Sequence, residues 1–324
     1  MTVSTSASGL CTPKEHLQRL NAGGARRTLI REHEYILQQE SSFTAFLEPD
    51  NASKNRFQNL ILYDETRVKL SEQSQFKGNY VHASYVDGYE RAKQYVLAQA
   101  PFSDETEFLF WRLVWQIQPT VIAVLCRASD GEDNPTLCSR FWPSERKEKK
   151  FKDGRLLVRT DATSSGADCT YYDVVVTLVG HRRVVHLKLL NYTEWRADDD
   201  VPDGLIGFLT KLTMSHSQLE MVRNKERPAD QAAEKYPTML TCSTGIHRCG
   251  TLVALDICIR RLQDTRRVAL EDTVRLLRQQ RYGCVQILNH YLYLAEAIVN
   301  HAIQSNMVQA QDLGTGTFDL RRKT

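Results

Sequence analysis

The chain has 324 residues, 42% of them hydrophobic and 25% charged, with a formal net charge of +3. That length can bury a sizeable core without disulfide staples, in one large domain or two small ones. The charge is too weak to imply nucleic-acid binding, and no apolar run approaches the roughly 20 residues that a membrane-spanning helix needs.

Residues 1 to about 12 are small and polar and offer little to bury, so disorder is expected there. Glu15 to Gln39 reads as helical with charged faces and a break near Gly23 and Gly24. A flexible segment is expected over 1–25, one domain over 26–305 and a polar tail over 306–324; no Pro-rich stretch or repeat marks a further boundary. DETEFLFWRLVWQI, starting at Asp104, has apolar residues at helical spacing behind a capping Asp. VIAVLC, ending at Cys126, is a buried-strand run; RLLVRT, YYDVVVTLV and RVVHLKLL are further strands. Between them, Lys147, Lys149, Lys150 and Lys152 read as a solvated hairpin tip. YPTML is a strand, and GTLVALDICIRRLQ, LEDTVRLLRQQR and NHYLYLAEAIVNHAI are helices. The expected fold is α/β (α+β), a central mixed β-sheet flanked by helices.

The eight cysteines, at Cys11, Cys126, Cys138, Cys169, Cys242, Cys249, Cys258 and Cys284, contain no C-x-x-C pair. That argues against zinc ribbons and redox dithiols, and apolar neighbours predict small buried thiols. A reducing, cytoplasmic location fits, and the N-terminus lacks the apolar core of a secretory leader.

The chemistry concentrates in TCSTGIHRCGT, Thr241 to Thr251, where Cys242 precedes Arg248 by six positions. Such a spacing is weak alone. Its setting is stronger: an apolar strand leads in, Gly245 gives the turn freedom, and a long apolar helix follows. Loop N–H groups and the positive helix end then converge on one point, which stabilises a thiolate or a phosphate. Arg248 can hold two phosphate oxygens with its planar fork.

With these features the chain resembles the phosphotyrosine-specific protein tyrosine phosphatases, over about residues 30 to 303. The motifs that carry the likeness occur in the family's order: KNRFQNLILYDETRVKL from Lys54, NYVHASYVDGY, QYVLAQAP, FWRLVWQ, CSRFWP, VVHLKLLNYTEWRADDDVPD and RQQRYGCVQILNHYLYLAEAI. The resemblance implies Cys242 as nucleophile, forming a cysteinyl-phosphate, and Arg248 as the phosphoryl clamp. It implies loop N–H donors from Ser243, Thr244, Gly245 and Ile246, with His247 standing where related enzymes carry glycine or serine. Phe57 would stack on the substrate ring, unless it is simply core, and Asn59 would hold the substrate backbone. Gln286 matches a glutamine of the water-orienting region. Glu132 matches the glutamate that braces the arginine, with an exposed turn acid as the alternative. The acid loop after Trp195 is one residue longer than the family pattern, so the general acid falls on Asp198, with Asp199 and Asp200 as neighbours able to substitute. Neither metal nor cofactor is implied; phosphotyrosine proteins are the implied partners, and the oligomeric state stays open.

The departures bear on turnover. Thr241 replaces a histidine, which predicts a less ionised Cys242, and Cys249 replaces a hydroxyl that stabilises the departing thiolate. Cys249 is expected as buried packing, a reversible disulfide with Cys242 being the alternative. His290 replaces a glutamine, Leu137 a lysine, His82 an asparagine and Ala100 a glycine. Loop drift of this kind is similar to the phosphatases of bracoviruses of parasitoid wasps, a group of active enzymes and inactive relatives. A slow phosphatase is therefore the first expectation. A pseudophosphatase that shields phosphotyrosine proteins is the second, and an enzyme acting on phosphoinositides or RNA 5′ ends the third.

Overall fold

The computed structural model describes residues 10–37, 41–72, 76–129, 138–196, 200–228, 231–309, 312 and 320. Two helices come first, α1 (Pro13–Asn21) and α2 (Ala25–Tyr35), then the single turn α3 (Thr44–Leu47) and a 3-10 turn over Pro49–Lys54. β1 (Ala83–Val86) and β2 (Tyr95–Gln99) precede α4 (Asp104–Ile117) and β3 (Val121–Val124). Two very short strands follow, β4 (Ala128–Ser129) and β5 (Cys138–Ser139). The meander β6 (Lys147–Phe151), β7 (Leu156–Ser165), β8 (Cys169–Leu178) and β9 (Val184–Tyr192) comes next. α5 (Leu205–Lys225), β10 (Thr238–Cys242), α6 (His247–Thr265), α7 (Leu270–Gln280) and α8 (Leu288–Gln304) complete the order.

Eight strands form the expected mixed sheet, in the order β1-β2-β10-β3-β9-β8-β7-β6. β2, β10, β3 and β9 are parallel neighbours, and antiparallel pairs flank them. Parallel strands are covered on both faces, so β2, β3 and β10 are buried along their whole length. Successive side chains alternate between two cores. Leu97, Ala123, Leu240 and Cys242 join the core built with α5 to α8, while Val96, Ala98, Ile122 and Met239 join the one built with α4. β10 therefore delivers its last residue at the carboxyl end of the parallel strands, where open α/β sheets leave a cleft.

Several local expectations are corrected. Ser103, not Asp104, caps α4: its hydroxyl accepts from the Thr106 N–H at 3.2 Å, and Thr106 Oγ1 accepts from the Ser103 N–H at 2.9 Å. Lys152 lies in the turn between β6 and β7 as expected, but Lys147, Lys149 and Lys150 lie on the edge strand β6, where charge discourages pairing with another chain. Cys126 and Cys138 form a disulfide rather than two thiols, because the parallel β4–β5 pair sets Ala128 beside Cys138. The expected polar tail contributes Val308 and Leu320 to the core.

α1 lies inside the segment expected to be flexible. Thr12 and Glu15 form a reciprocal capping box, Pro13 starts the helix, and Leu17 and Leu20 are 0% and 5% exposed in the core that includes α8. Leu17→Ala should therefore cost about 2–5 kcal/mol, the range for a buried leucine. An unchanged denaturant midpoint would contradict this packing.

Candidate active site

β10 ends at Cys242, and the chain turns at once. The Ala100 N–H donates to the Cys242 carbonyl at 3.0 Å, and the Gly245 N–H donates to the same oxygen at 3.0 Å, closing the turn. Gly245 sits at φ +64°, and a Cβ there would lie 2.3 Å from the Ala98 carbonyl carbon. Backbone conformation and contact with β2 thus both require glycine. α6 starts at His247, so Arg248 and Cys249 occupy its first turn beside the cysteine.

Cys242 is 1% exposed, and its sulfur has two close side-chain partners. The Cys249 thiol donates to it across 3.4 Å, and the Thr244 hydroxyl lies 3.7 Å away. Arg248 is anchored by Nη1 donating to the Leu125 carbonyl at 2.9 Å, with its guanidinium 5.8 Å from the Trp195 ring centre. Burial alone would raise the Cys242 pKa. The Cys249 thiol and backbone N–H, the Arg248 charge and the Thr244 hydroxyl outweigh it and hold Cys242 well below the usual thiol range. Burial and the adjacent Cys242 charge push Cys249 well up. The two shifts run in opposite directions, so Cys242 gives up its proton before Cys249 does. With Thr241 in place of a histidine, the Cys249 thiol supplies a hydrogen bond to the Cys242 sulfur. The buried Thr241 Oγ1 has no hydrogen-bond partner among the described residues.

A second set of residues joins the recognition segment to this loop. Gln99, the strand partner of Cys242, accepts from the Arg56 N–H at 2.9 Å and donates to the Lys54 carbonyl at 3.3 Å. Arg281, fully buried, donates to the Gly245 carbonyl at 3.2 Å, the Ser84 hydroxyl at 3.2 Å and His82 Nδ1 at 3.0 Å. His82 Nε2 in turn donates to the Leu60 carbonyl at 2.9 Å. Burial, then the Arg281 charge, lowers His82 to about 3, so the ring is neutral and this tautomer holds.

The predicted site residues divide accordingly. Cys242, Ser243, Thr244, Gly245, Ile246, His247 and Arg248 form one continuous loop and helix start. Phe57 is half-buried, 5.6 Å from the Arg56 guanidinium; burial lowers the Arg56 pKa, and the nearby Cys242 charge opposes that shift. Asn59 is exposed. Gln286 is exposed, and Gly283 packs between it and Ile246: a Cβ on Gly283 would lie 3.0 Å from Gln286 Oε1 and 3.5 Å from Ile246 Cγ2. Asp198, Asp199, Glu132 and Leu137 lie outside the described residues; Asp200 is exposed. Gln99, Ser84 and Arg281 were missed, and His82 was noted only as a departure. No spacing could have flagged them, since His82 and Arg281 are 199 positions apart.

Thr244 changes the inventory of loop donors. Its Oγ1 accepts from the Ile246 N–H at 3.1 Å and from the His247 N–H at 3.3 Å, groups that a bound oxyanion would otherwise use. Thr244→Ala should tighten phosphate or vanadate binding by roughly 3- to 10-fold, the worth of about one hydrogen bond, measured by competitive inhibition or calorimetry. Weaker binding would contradict this role. The depressed Cys242 pKa gives a pH prediction. Iodoacetamide alkylation of Cys242 should stay fast as pH falls from 9 to neutral, because the thiolate persists until the folded-state pKa is reached. A rate that climbs through the ordinary thiol range near pH 8.5 would contradict the assignment.

Comparison with known proteins agrees with this geometry. The family profile described as protein-tyrosine phosphatase matches residues 51–300. The chain is 29% identical over 294 residues to tyrosine-protein phosphatase non-receptor type 9 of Mus musculus, an overlap of 87% of this chain and 48% of that protein. It is 26% identical over 284 residues to tyrosine phosphatase H2 of Microplitis demolitor bracovirus, covering 86% of this chain and 85% of the viral protein. A Lar-like tyrosine-protein phosphatase of Caenorhabditis elegans is 32% identical over 251 residues, 77% of this chain and 10% of that protein. The chain thus spans about half the length of the mouse relative. With a cysteine loop between a parallel strand and a helix, and a family match across 51–300, the chain belongs to the protein-tyrosine phosphatase family.

Proposed function

We propose that the chain hydrolyses phosphotyrosine in proteins by two successive displacements. The Cys242 thiolate attacks phosphorus while Arg248 and the loop N–H groups hold the phosphoryl oxygens. A carboxylic acid, Asp198 in this reading, protonates the departing phenolic oxygen. Water beside Gln286 then hydrolyses the cysteinyl-phosphate, and Cys242 leaves as a thiolate. The observation that carries the reading is the loop geometry, with the Cys242 sulfur 3.4 Å from the Cys249 thiol and 3.7 Å from the Thr244 hydroxyl beside an anchored Arg248. Half-buried Phe57, held through Arg56 and Gln99, supports a pocket deep enough for an aryl phosphate.

The second displacement is the slower one in this proposal. The departing sulfur meets a thiol, Cys249, which is a weaker donor than a hydroxyl. His290 is 0% exposed, 5.4 Å from the Trp195 ring and 2.7 Å from the Thr251 hydroxyl, so its ring belongs to the interior. Water orientation then falls to Gln286 alone. These features support a second reading, a domain that captures phosphotyrosine proteins with little turnover. A cytoplasmic setting completes the proposal, and the likeness to a bracoviral phosphatase supports action inside a host cell. No described helix is long and apolar enough to cross a membrane.

Stopped-flow assay on an aryl phosphate separates the readings. The expected trace is a burst of phenol followed by slow release, absent in Cys242→Ser. Cys249→Ser should raise the steady-state rate by about 10-fold, the value of roughly 1.4 kcal/mol in the second barrier. Tight phosphopeptide binding with neither burst nor turnover above Cys242→Ser would favour capture.

A further inference from the structure

β9 outruns its parallel neighbour. The first residue of β3, Val121, stands opposite Lys188, and the Lys188 N–H donates to the Thr120 carbonyl at 3.0 Å. Val184 to Leu187 therefore pair with β8 on one side and with no described strand on the other. Backbone direction alternates along an antiparallel pair, so Val184 and His186 turn their N–H and C=O groups the same way as Lys188, past the start of β3. Arg223 fixes that direction: it donates to the His186 carbonyl, and to the Gln118 and Pro119 carbonyls at 2.7 and 2.8 Å. Where a longer β3 would run there is instead a cleft of about 440 Å³, whose lining includes Val184, His186, Leu219, Val222, Arg223 and Tyr236.

The rim of the cleft is apolar and basic. Val184 and Val222 are 40% and 49% exposed, and Met221, next to Val222, is exposed as well. Arg227 and Lys235 are paired with Glu234 and Glu220. The remaining charges nearby are Arg182, Arg183, Arg223 and Lys225 against Glu226, a surplus of cations. Tyr236 lies two residues before β10, and Cys242 ends that strand, so cleft and nucleophile are at least roughly 13 Å apart, the length of the strand.

We propose that this cleft docks an extended, acidic and aliphatic segment of a partner protein, added as a strand beside Val184 to Leu187. Its backbone pairs with the Val184 and His186 groups that face away from β8, and Arg223 marks the inner limit of the added strand. An aliphatic side chain enters between Val184, Leu219 and Val222, and the carboxylates of the segment meet Arg182, Arg183 and Lys225. The open sheet edge favours an extended occupant, the cation surplus an acidic one. A flat lipid surface could neither fill the cleft nor reach backbone groups within it. The site needs no phosphate, so it recruits a protein without taking part in phosphoryl transfer.

Fluorescence anisotropy on the full chain tests this with labelled, unphosphorylated peptides. One alternates aspartate with leucine, a second has lysine for aspartate, and a third has serine for leucine. The first should bind, and the other two should bind at least about 10-fold more weakly, a difference of ~1.4 kcal/mol. Val222→Asp and Arg182→Glu, both at exposed positions, should each weaken the first peptide by at least about 5-fold, the worth of roughly 1 kcal/mol. Their denaturant midpoints and aryl phosphate turnover should match the wild type. Vanadate at saturation should leave peptide binding unchanged, and hydrogen exchange at the Val184 and His186 amides should slow when the peptide is added. No binding of the first peptide, equal binding of the lysine peptide, displacement by vanadate, or protection along β6 instead would each overturn the proposal. A dimer that Val222→Asp dissociates would give the face to a second copy of the chain. Binding to phosphatidylserine vesicles without peptide binding would give it to lipid. Either result would overturn the proposal too.

Discussion

A negative charge buried at the end of a parallel strand sets the terms for the rest of this molecule. An isolated ion away from water is costly, and a residue 1% exposed has little solvent to share. A thiol, a backbone N–H, the Arg248 charge and a hydroxyl outweigh that cost and hold the Cys242 pKa well below the usual thiol range. These groups come from two backbone devices, and a third fixes the arginine. The turn at Gly245 brings Thr244 round, the start of α6 supplies Cys249 and Arg248, and the end of β3 supplies the Leu125 carbonyl that fixes the arginine. The position of β10 between β2 and β3 is therefore a requirement of the chemistry. Strands on both sides hold the loop to within the tolerance that such a charge demands.

The recognition segment is tied to the same frame by side chains that do no chemistry. Gln99 reaches back from the strand beside Cys242 to two backbone groups at Lys54 and Arg56. Arg281 and His82 form a second tie, from the Gly245 carbonyl to the Leu60 carbonyl. A neutral imidazole presents one acceptor and one donor on opposite sides, as a side-chain amide does. That equivalence explains how His82 serves where the resemblance leads one to expect asparagine. The equivalence depends on neutrality: a protonated ring would face Arg281 with a like charge, and burial together with that arginine keeps the ring pKa near 3.

Legibility in the sequence follows the range of the interactions. The cysteine site could be read because strand, glycine and helix are contiguous, and the parallel strands because burial on both faces forces unbroken apolar runs. Where partners are distant, the sequence is silent. The tie from Gln99 to Arg56 spans 43 positions and that from His82 to Arg281 spans 199. Cys126 and Cys138 carry no spacing signature, and only the β4–β5 pairing brings them together. Geometry also decided between neighbours. Ser103 took the cap because its backbone is extended at φ −150°, whereas Asp104 already belongs to the helix. α1 was hidden by its charge: Leu17 and Leu20 are few, but they share one face, and α8 offers it a place to bury.

The substitution of sulfur for oxygen at Cys249 links the speed of the two chemical steps. Donors to a thiolate stabilise it both as the resting nucleophile and as the departing group. A weaker donor leaves the resting sulfur more reactive toward phosphorus and makes it a poorer leaving group afterwards, the two effects following from one change in basicity. Thr241 adds nothing to offset this, because its buried hydroxyl has no hydrogen-bond partner among the described residues. Attack is thus favoured over release by the same contact that gives the thiolate its hydrogen bond. That contact is sulfur on sulfur, set by the end of β10 and the first turn of α6.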